Sequence, residues 1–185
     1  MVYPAAMGIR IHLGYNPFKM STKRIQLTLF VAEQQAVQLE EIRKTFNPLQ
    51  YELIKSHVTL CREDELVPIE QVVRNLHGLK QEAITIDFGP VVRFSNGAGV
   101  LMPAIGNNQS FHHLRAKVLQ GIVDQPRIPE PHVTLMHPRN STCTDAIFGQ
   151  ILKYTLPSQI QFTKITLIEQ ENGLKWNVLQ EFELV

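Results

Sequence analysis

One four-residue string carries the residues best suited to chemistry, and it occurs twice: His57-Val58-Thr59-Leu60 and, 75 positions later, His132-Val133-Thr134-Leu135. A short β-branched run reads as a strand, in which successive side chains alternate between faces. His57 and Thr59 then share one face and Val58 and Leu60 the other, and the second copy repeats the arrangement. The apolar pair anchors each strand to a core and leaves the imidazole and hydroxyl for a cleft. By the same parity Cys61 and Met136 fall on the His/Thr side, either flooring a pocket or marking the end of the strand, while Arg62 falls on the opposite side. One such string is an ordinary strand with a structural histidine. Two of them describe a two-histidine site.

An unperturbed imidazole titrates near 6.5, so at neutral pH one histidine can accept a proton while the other donates. Two threonine hydroxyls can donate to non-bridging phosphate oxygens as negative charge grows on them. Attack on phosphorus needs those parts: a base for the nucleophile, an acid for the leaving oxygen and donors for the equatorial oxygens. The set calls for no metal and no cofactor.

The bulk numbers narrow the setting. Lys and Arg number 18 against 17 Asp and Glu, a formal charge of +1, so the broad basic footprint of a long nucleic-acid binder is missing. A local pocket for one phosphate is compatible with that charge. Cys61 and Cys143 form no metal or disulfide spacing pattern and read as free thiols of a reducing cytoplasm. There is no long apolar run for a membrane span and no signal-type apolar region near the start. Residues 1–20 read as an N-terminal extension, ahead of a single domain over 21–185.

The elements that must position the two strings follow in order. Arg24–Val31 alternates as a half-buried strand, and Glu33–Phe46 has helical spacing ended by Asn47-Pro48. Tyr51–Ile54 and His57–Arg62 read as extended, and Glu63-Asp64-Glu65 as a solvated turn into a helix from Pro68 to about Leu79. Ala83–Phe94 and Gly99–Ile105 read as strands of a hairpin turned at Ser95-Asn96-Gly97-Ala98. Gln109–Val123 reads as a helix. Thr144 or Asp145 caps another, to about Tyr154. Strands Ile160–Gln170 and Lys175–Glu183, turned at Glu171-Asn172-Gly173, close a compact α+β domain.

The paired H-x-T-L strings, the second introduced by Pro131, resemble the 2H phosphoesterase superfamily, nearest its bacterial 2′-5′ RNA ligase-like and cyclic phosphodiesterase branch. The resemblance runs from about Lys23 to Val185. It implies a bilobal, pseudo-twofold α+β fold: a pair of mainly antiparallel sheets flanks a central cleft, with helices outside. It also implies metal-independent action on 2′,3′-cyclic phosphates or 2′-5′ linkages at nucleotide or RNA ends. Carried over by motif, His57 and His132 are the acid–base pair, and Thr59 and Thr134 bind the phosphate. Met136-His137-Pro138-Arg139 departs from the small residue and Arg of many relatives, which leaves a phosphate role for Arg139 open.

Other residues are weaker candidates. Lys55 shares parity with His57 and is a phosphate contact or, more simply, a solvated lysine. Tyr51 and Phe94 are stacking partners for a base or, more simply, core aromatics. Trp176 reads as packing. His112 and His113 face different directions on their helix, which argues against a shared metal. His12, His77 and His137 have no supporting pattern. The expected protein is a monomeric cytoplasmic phosphodiesterase acting on nucleotide or RNA-end 2′,3′-cyclic phosphates, with no membrane partner. The alternatives are a 2′-5′ RNA ligase or 2′-5′ phosphodiesterase using the same site, and a non-catalytic nucleotide-binding module.

Overall fold

The computed structural model describes residues 22–185; the expected 1–20 extension lies outside them. Strand β1 (Lys23–Phe30) and strand β2 (His57–Cys61) pair antiparallel, joined by helices α1 (Glu33–Phe46) and α2 (Pro48–Leu53). Helix α3 (Ile69–His77) leads to β3 (Ile84–Asp87), β4 (Val92–Arg93) and β5 (Val100–Pro103). Helix α4 (Gln109–Val118) precedes β6 (His132–Met136), and α5 (Asp145–Ile151) precedes β7 (Gln159–Phe162), β8 (Lys164–Glu171) and β9 (Asn177–Glu183). The sheets are ordered β2-β1-β8-β9, β4-β5-β6 and β3-β7, every pairing antiparallel. The expected α+β class is thus observed, and among the described residues no helix is long and apolar enough to cross a membrane.

The two motif ladders repeat one another. In the first, Leu29 faces Val58 and Phe30 faces His57; in the second, Met102 faces Val133 and Pro103 faces His132. Beyond each string the register slips by one residue, so Thr28 faces Thr59 but Leu27 faces Cys61, and Leu101 faces Thr134 but Val100 faces Met136. Both strands show the same burial: histidine and threonine half-open, and the other three residues buried. Val58, Leu60, Val133 and Leu135 have no exposed surface, and burying such a side chain stabilises by about 1.5–3 kcal/mol. Strands β2 and β6 pack against each other, which brings the two strings together.

Several expectations are corrected. Tyr51–Ile54 is not extended: Pro48 at the first helical position pre-sets φ and starts α2 directly after α1. Ala83–Phe94 is not one strand. It breaks at Gly89-Pro90, so β3 pairs with β7 while β4 joins the motif sheet. Ile160–Gln170 also divides, switching sheets at Thr163 between Phe162 and Lys164. Helices expected to reach Leu79, Val123 and Tyr154 stop at His77, Val118 and Ile151. Both hairpin turns form as expected, with positive φ at Gly97, Asn172 and Gly173. At Gly99 a Cβ would collide with the Met136 carbonyl, so only glycine lets this hairpin pass the end of β6.

The acidic run is a turn, as expected, with Asp64 in solvent, but Glu65 is not solvated. Glu63–Glu65 forms a 3-10 turn with Glu65 only 6% exposed. The Glu65 carboxylate accepts from Arg115, itself 3% exposed, at 2.7 Å, and from Arg127. Arg115 also donates to the Leu60 carbonyl and to the Arg127 carbonyl, fastening the first motif strand to the loop that leads into the second. Both arginines hold the Glu65 carboxyl down, at about 2, against the upward push of burial.

Candidate active site

Each motif histidine is held in the same way. His57 Nδ1 lies 2.7 Å from the Lys55 carbonyl and His132 Nδ1 lies 3.0 Å from the Glu130 carbonyl, two residues back in each case. A carbonyl can only accept, so Nδ1 carries a proton in both rings and Nε2 is the atom left for proton exchange. A phenylalanine meets each ring edge-on. Phe30 stands 6.0 Å from His57 and Phe94 stands 6.0 Å from His132, between ring centroids. Ser56 and Pro131, the residues just before the strings, each accept a backbone N–H from the neighbouring strand's end, Val31 at 3.1 Å and Ala104 at 2.9 Å. Position, tautomer and ring plane are therefore set by backbone that the ladders fix.

The electrostatics are less symmetric. Burial pushes His57 down to about 4, opposed by its hydrogen bond to Lys55 and aided by the charges of Arg43, His132 and His137. The ring keeps a half-open edge, yet the surrounding protein replaces the water that would solvate an imidazolium. Arg43, 1% exposed on α1, donates to the Ile54 carbonyl at 2.6 Å and to Glu40 at 3.2 Å.

The slipped register decides which further residues reach the site. Leu27 is core, so Cys61 opposite it is core as well, and Met136 opposite Val100 likewise; all four are fully buried. Of the two readings of Cys61 and Met136, flooring a pocket beside the histidines is excluded, and each is the last residue of its strand. One extra residue, Leu60 or Leu135, reverses the parity. The same reversal undoes the parity argument against Arg62, which is exposed, and brings in His137, close enough to act on His57. His137 donates its backbone N–H to Asn47 Oδ1 at 2.8 Å, and its Nδ1 accepts the Arg139 backbone N–H at 3.2 Å. Its proton then sits on Nε2, 3.4 Å from an Arg139 guanidinium nitrogen, so two donors stand side by side there. Burial, then Arg139 and Arg24, lower the His137 pKa. The sequence held one signal for His137: its distance from His132, once a bulge is allowed.

The weaker candidates separate. Phe94 is at the site, against His132. Lys55 is exposed and pairs with Glu33 at 3.2 Å; it serves His57 through its carbonyl rather than its amine. Tyr51 lies on α2 and lines a cavity of about 400 Å³ with Val31, Ala36, Ile54 and Lys55, on the α1 side of the first motif. Trp176 is covered by the Arg24 guanidinium, 5.5 Å from its centroid, and donates its backbone N–H to Leu53, as packing requires.

A model of the 2′-5′ RNA ligase superfamily matches residues 31–174, which include both strings. The chain belongs to the 2′-5′ RNA ligase superfamily. Among solved structures, this superfamily member is similar to Escherichia coli LigT in apo form, with a TM-score of 0.59 and 12% identity over 88% of this chain and 98% of that one. It is equally similar to LigT complexed with 3′-AMP, at 0.59 and 13% over 88% and 98%. The protein TT0787 of Thermus thermophilus gives 0.56 and 16% over 87% and 97%. At such identities the likeness is one of fold. No curated protein matches the chain.

Proposed function

We propose that this superfamily member is a metal-independent phosphodiesterase that opens 2′,3′-cyclic phosphates at nucleoside or RNA ends by two-histidine acid–base catalysis. The observation that carries the reading is the paired fixation of His57 and His132 through Nδ1, which leaves both Nε2 atoms for proton exchange on strands that touch, each strand also keeping its threonine half-open. One imidazole, neutral, takes a proton from water on Nε2 as the water oxygen bonds to phosphorus. The other, an imidazolium, gives its Nε2 proton to the ribose oxygen as the P–O bond to that oxygen breaks. Thr59 and Thr134 donate to the non-bridging oxygens. In the free protein His57 is neutral at pH 7. A bound phosphate opposes the desolvation that keeps it so and draws its pKa up.

The related fold of LigT has been seen with phosphate and with 3′-AMP, which supports a nucleotide phosphate as the ligand class here. The superfamily's description favours a second reading, 2′-5′ RNA ligation or cleavage on the same residues, with a 5′-hydroxyl in place of water. Incubation with 2′,3′-cyclic nucleotides, ADP-ribose cyclic phosphate and 2′-5′ dinucleotides in parallel, with products read by NMR, separates the two. Turnover of the cyclic substrates supports hydrolysis. Turnover of the dinucleotides alone supports the second reading. Nucleotide binding without any turnover contradicts both.

A further inference from the structure

The carbonyl that holds His57 belongs to the Lys55–Ser56 peptide, and the other end of that peptide is also engaged. The Ser56 N–H donates to Glu40 Oε1, and Ser56 is 1% exposed. Glu40 lies on α1 with its side chain 22% exposed, and both its oxygens accept from Arg43 at 3.2 Å. Arg43 in turn holds the Ile54 carbonyl at 2.6 Å, so the peptides on either side of Lys55 are pinned from one helix. A peptide unit is conjugated from N–H to C=O. A carboxylate at the N–H end draws that proton and makes the carbonyl oxygen a stronger acceptor, and such chained hydrogen bonds reinforce one another. The second half cannot do this. His132 is held by the Glu130 carbonyl, whose peptide nitrogen is that of Pro131 and carries no hydrogen.

We infer that Glu40 is a positioning residue of the site: through the Lys55–Ser56 peptide its carboxylate fixes the tautomer and plane of His57 and supports positive charge on that ring, a support His132 lacks. No proton crosses the peptide; it stays on Nδ1, and only the polarisation is passed on. The charged and titratable groups acting on His57 are Arg43 from α1, His132 from β6 and His137 just beyond it, all opposing an imidazolium. Glu40 reaches the ring only through the Lys55–Ser56 peptide, whose N–H it holds. The inference rests on the two-histidine reading for its consequence in catalysis, but not for the link itself.

The test uses the full chain with Glu40→Gln, Glu40→Asp and, as a control, Glu33→Gln, which removes the same charge from the start of the same helix. The ring protons and nitrogens of His57 and His132 are followed by NMR, and kcat and KM are measured on a 2′,3′-cyclic nucleotide. Expected for Glu40→Gln is an upfield move and faster water exchange of the His57 Nδ1–H with His132 unmoved. A roughly tenfold fall in kcat, the scale of partners one step behind a working histidine, accompanies it. KM stays within about twofold, because ground-state binding is untouched. Glu40→Asp recovers part of both effects, and Glu33→Gln shows neither. Should Glu40→Gln fail to fold, the partial shift in Glu40→Asp decides. His57 resonances that stay in place, or that move together with those of His132, overturn the inference, as does an equal effect of Glu33→Gln. If wild-type protein turns over no cyclic phosphate, the catalytic reading fails while the resonances still decide the link.

Discussion

The halves around His57 and His132 share letters, ladder register, burial and the manner in which Nδ1 is tied, yet they differ behind the ring. Behind His57 stand a buried arginine, a glutamate and a polarised peptide. Behind His132 stands Pro131, which has nothing to donate. The difference teaches that a repeated motif fixes where two imidazoles sit, while the residues outside it fix what each ring does with its proton.

Five predictions bear on that comparison. His57→Ala and His132→Ala should each lower kcat by at least about 10²-fold, the range for general acid–base groups, and the double variant should lose far less than the product of the two. Full turnover by either single variant breaks the equivalence of the halves. Next, Glu65→Ala leaves Arg115 charged and buried between them, with an expected loss of about 3 kcal/mol in denaturant unfolding. Lys55→Ala removes only an exposed pair and should leave the unfolding midpoint almost where it was.

Thr59→Val and Thr134→Val should each cost about 10- to 100-fold in kcat/KM, the worth of one hydrogen bond to a charged oxygen. Equal losses keep the phosphate central between the strands, and unequal losses place it nearer one. The last effect is on pH. The folded pKa of His57 is depressed to about 4, so between an unfolded value near 6.5 and that point the unfolded chain binds the extra proton. The His57 share of the stability should therefore fall as pH drops from about 6.5 to about 4 and level off below that, where the depressed Glu65 carboxyl, held at about 2, takes over the decline. His57→Ala should flatten that slope, and His132→Ala should leave the His57 part of it.

Much of this was legible in the letters. Strand β1, helix α1 and the Asn96-Gly97 and Asn172-Gly173 turns follow from periodicity and turn chemistry, which are local, whereas the meeting of the two motifs was implied only by the family resemblance. What was not legible depends on partners far along the chain. The buried role of Glu65 needs Arg115, fifty positions on. Nothing local marks Glu40, which gains its role only when Ser56 folds back onto it. Cys61 and Met136 change face, and His137 joins the site, through a bulge that no alternation rule announces.

The most direct measurement of the central claim is phosphorus NMR of 2′,3′-cyclic AMP incubated with EDTA-treated protein, beside the His57→Ala/His132→Ala double variant. Expected is replacement of the cyclic phosphate resonance by that of a monophosphate ester with the wild-type protein alone. Persistence of the cyclic resonance with wild type, or its equal loss with the double variant, contradicts a metal-free two-histidine phosphodiesterase.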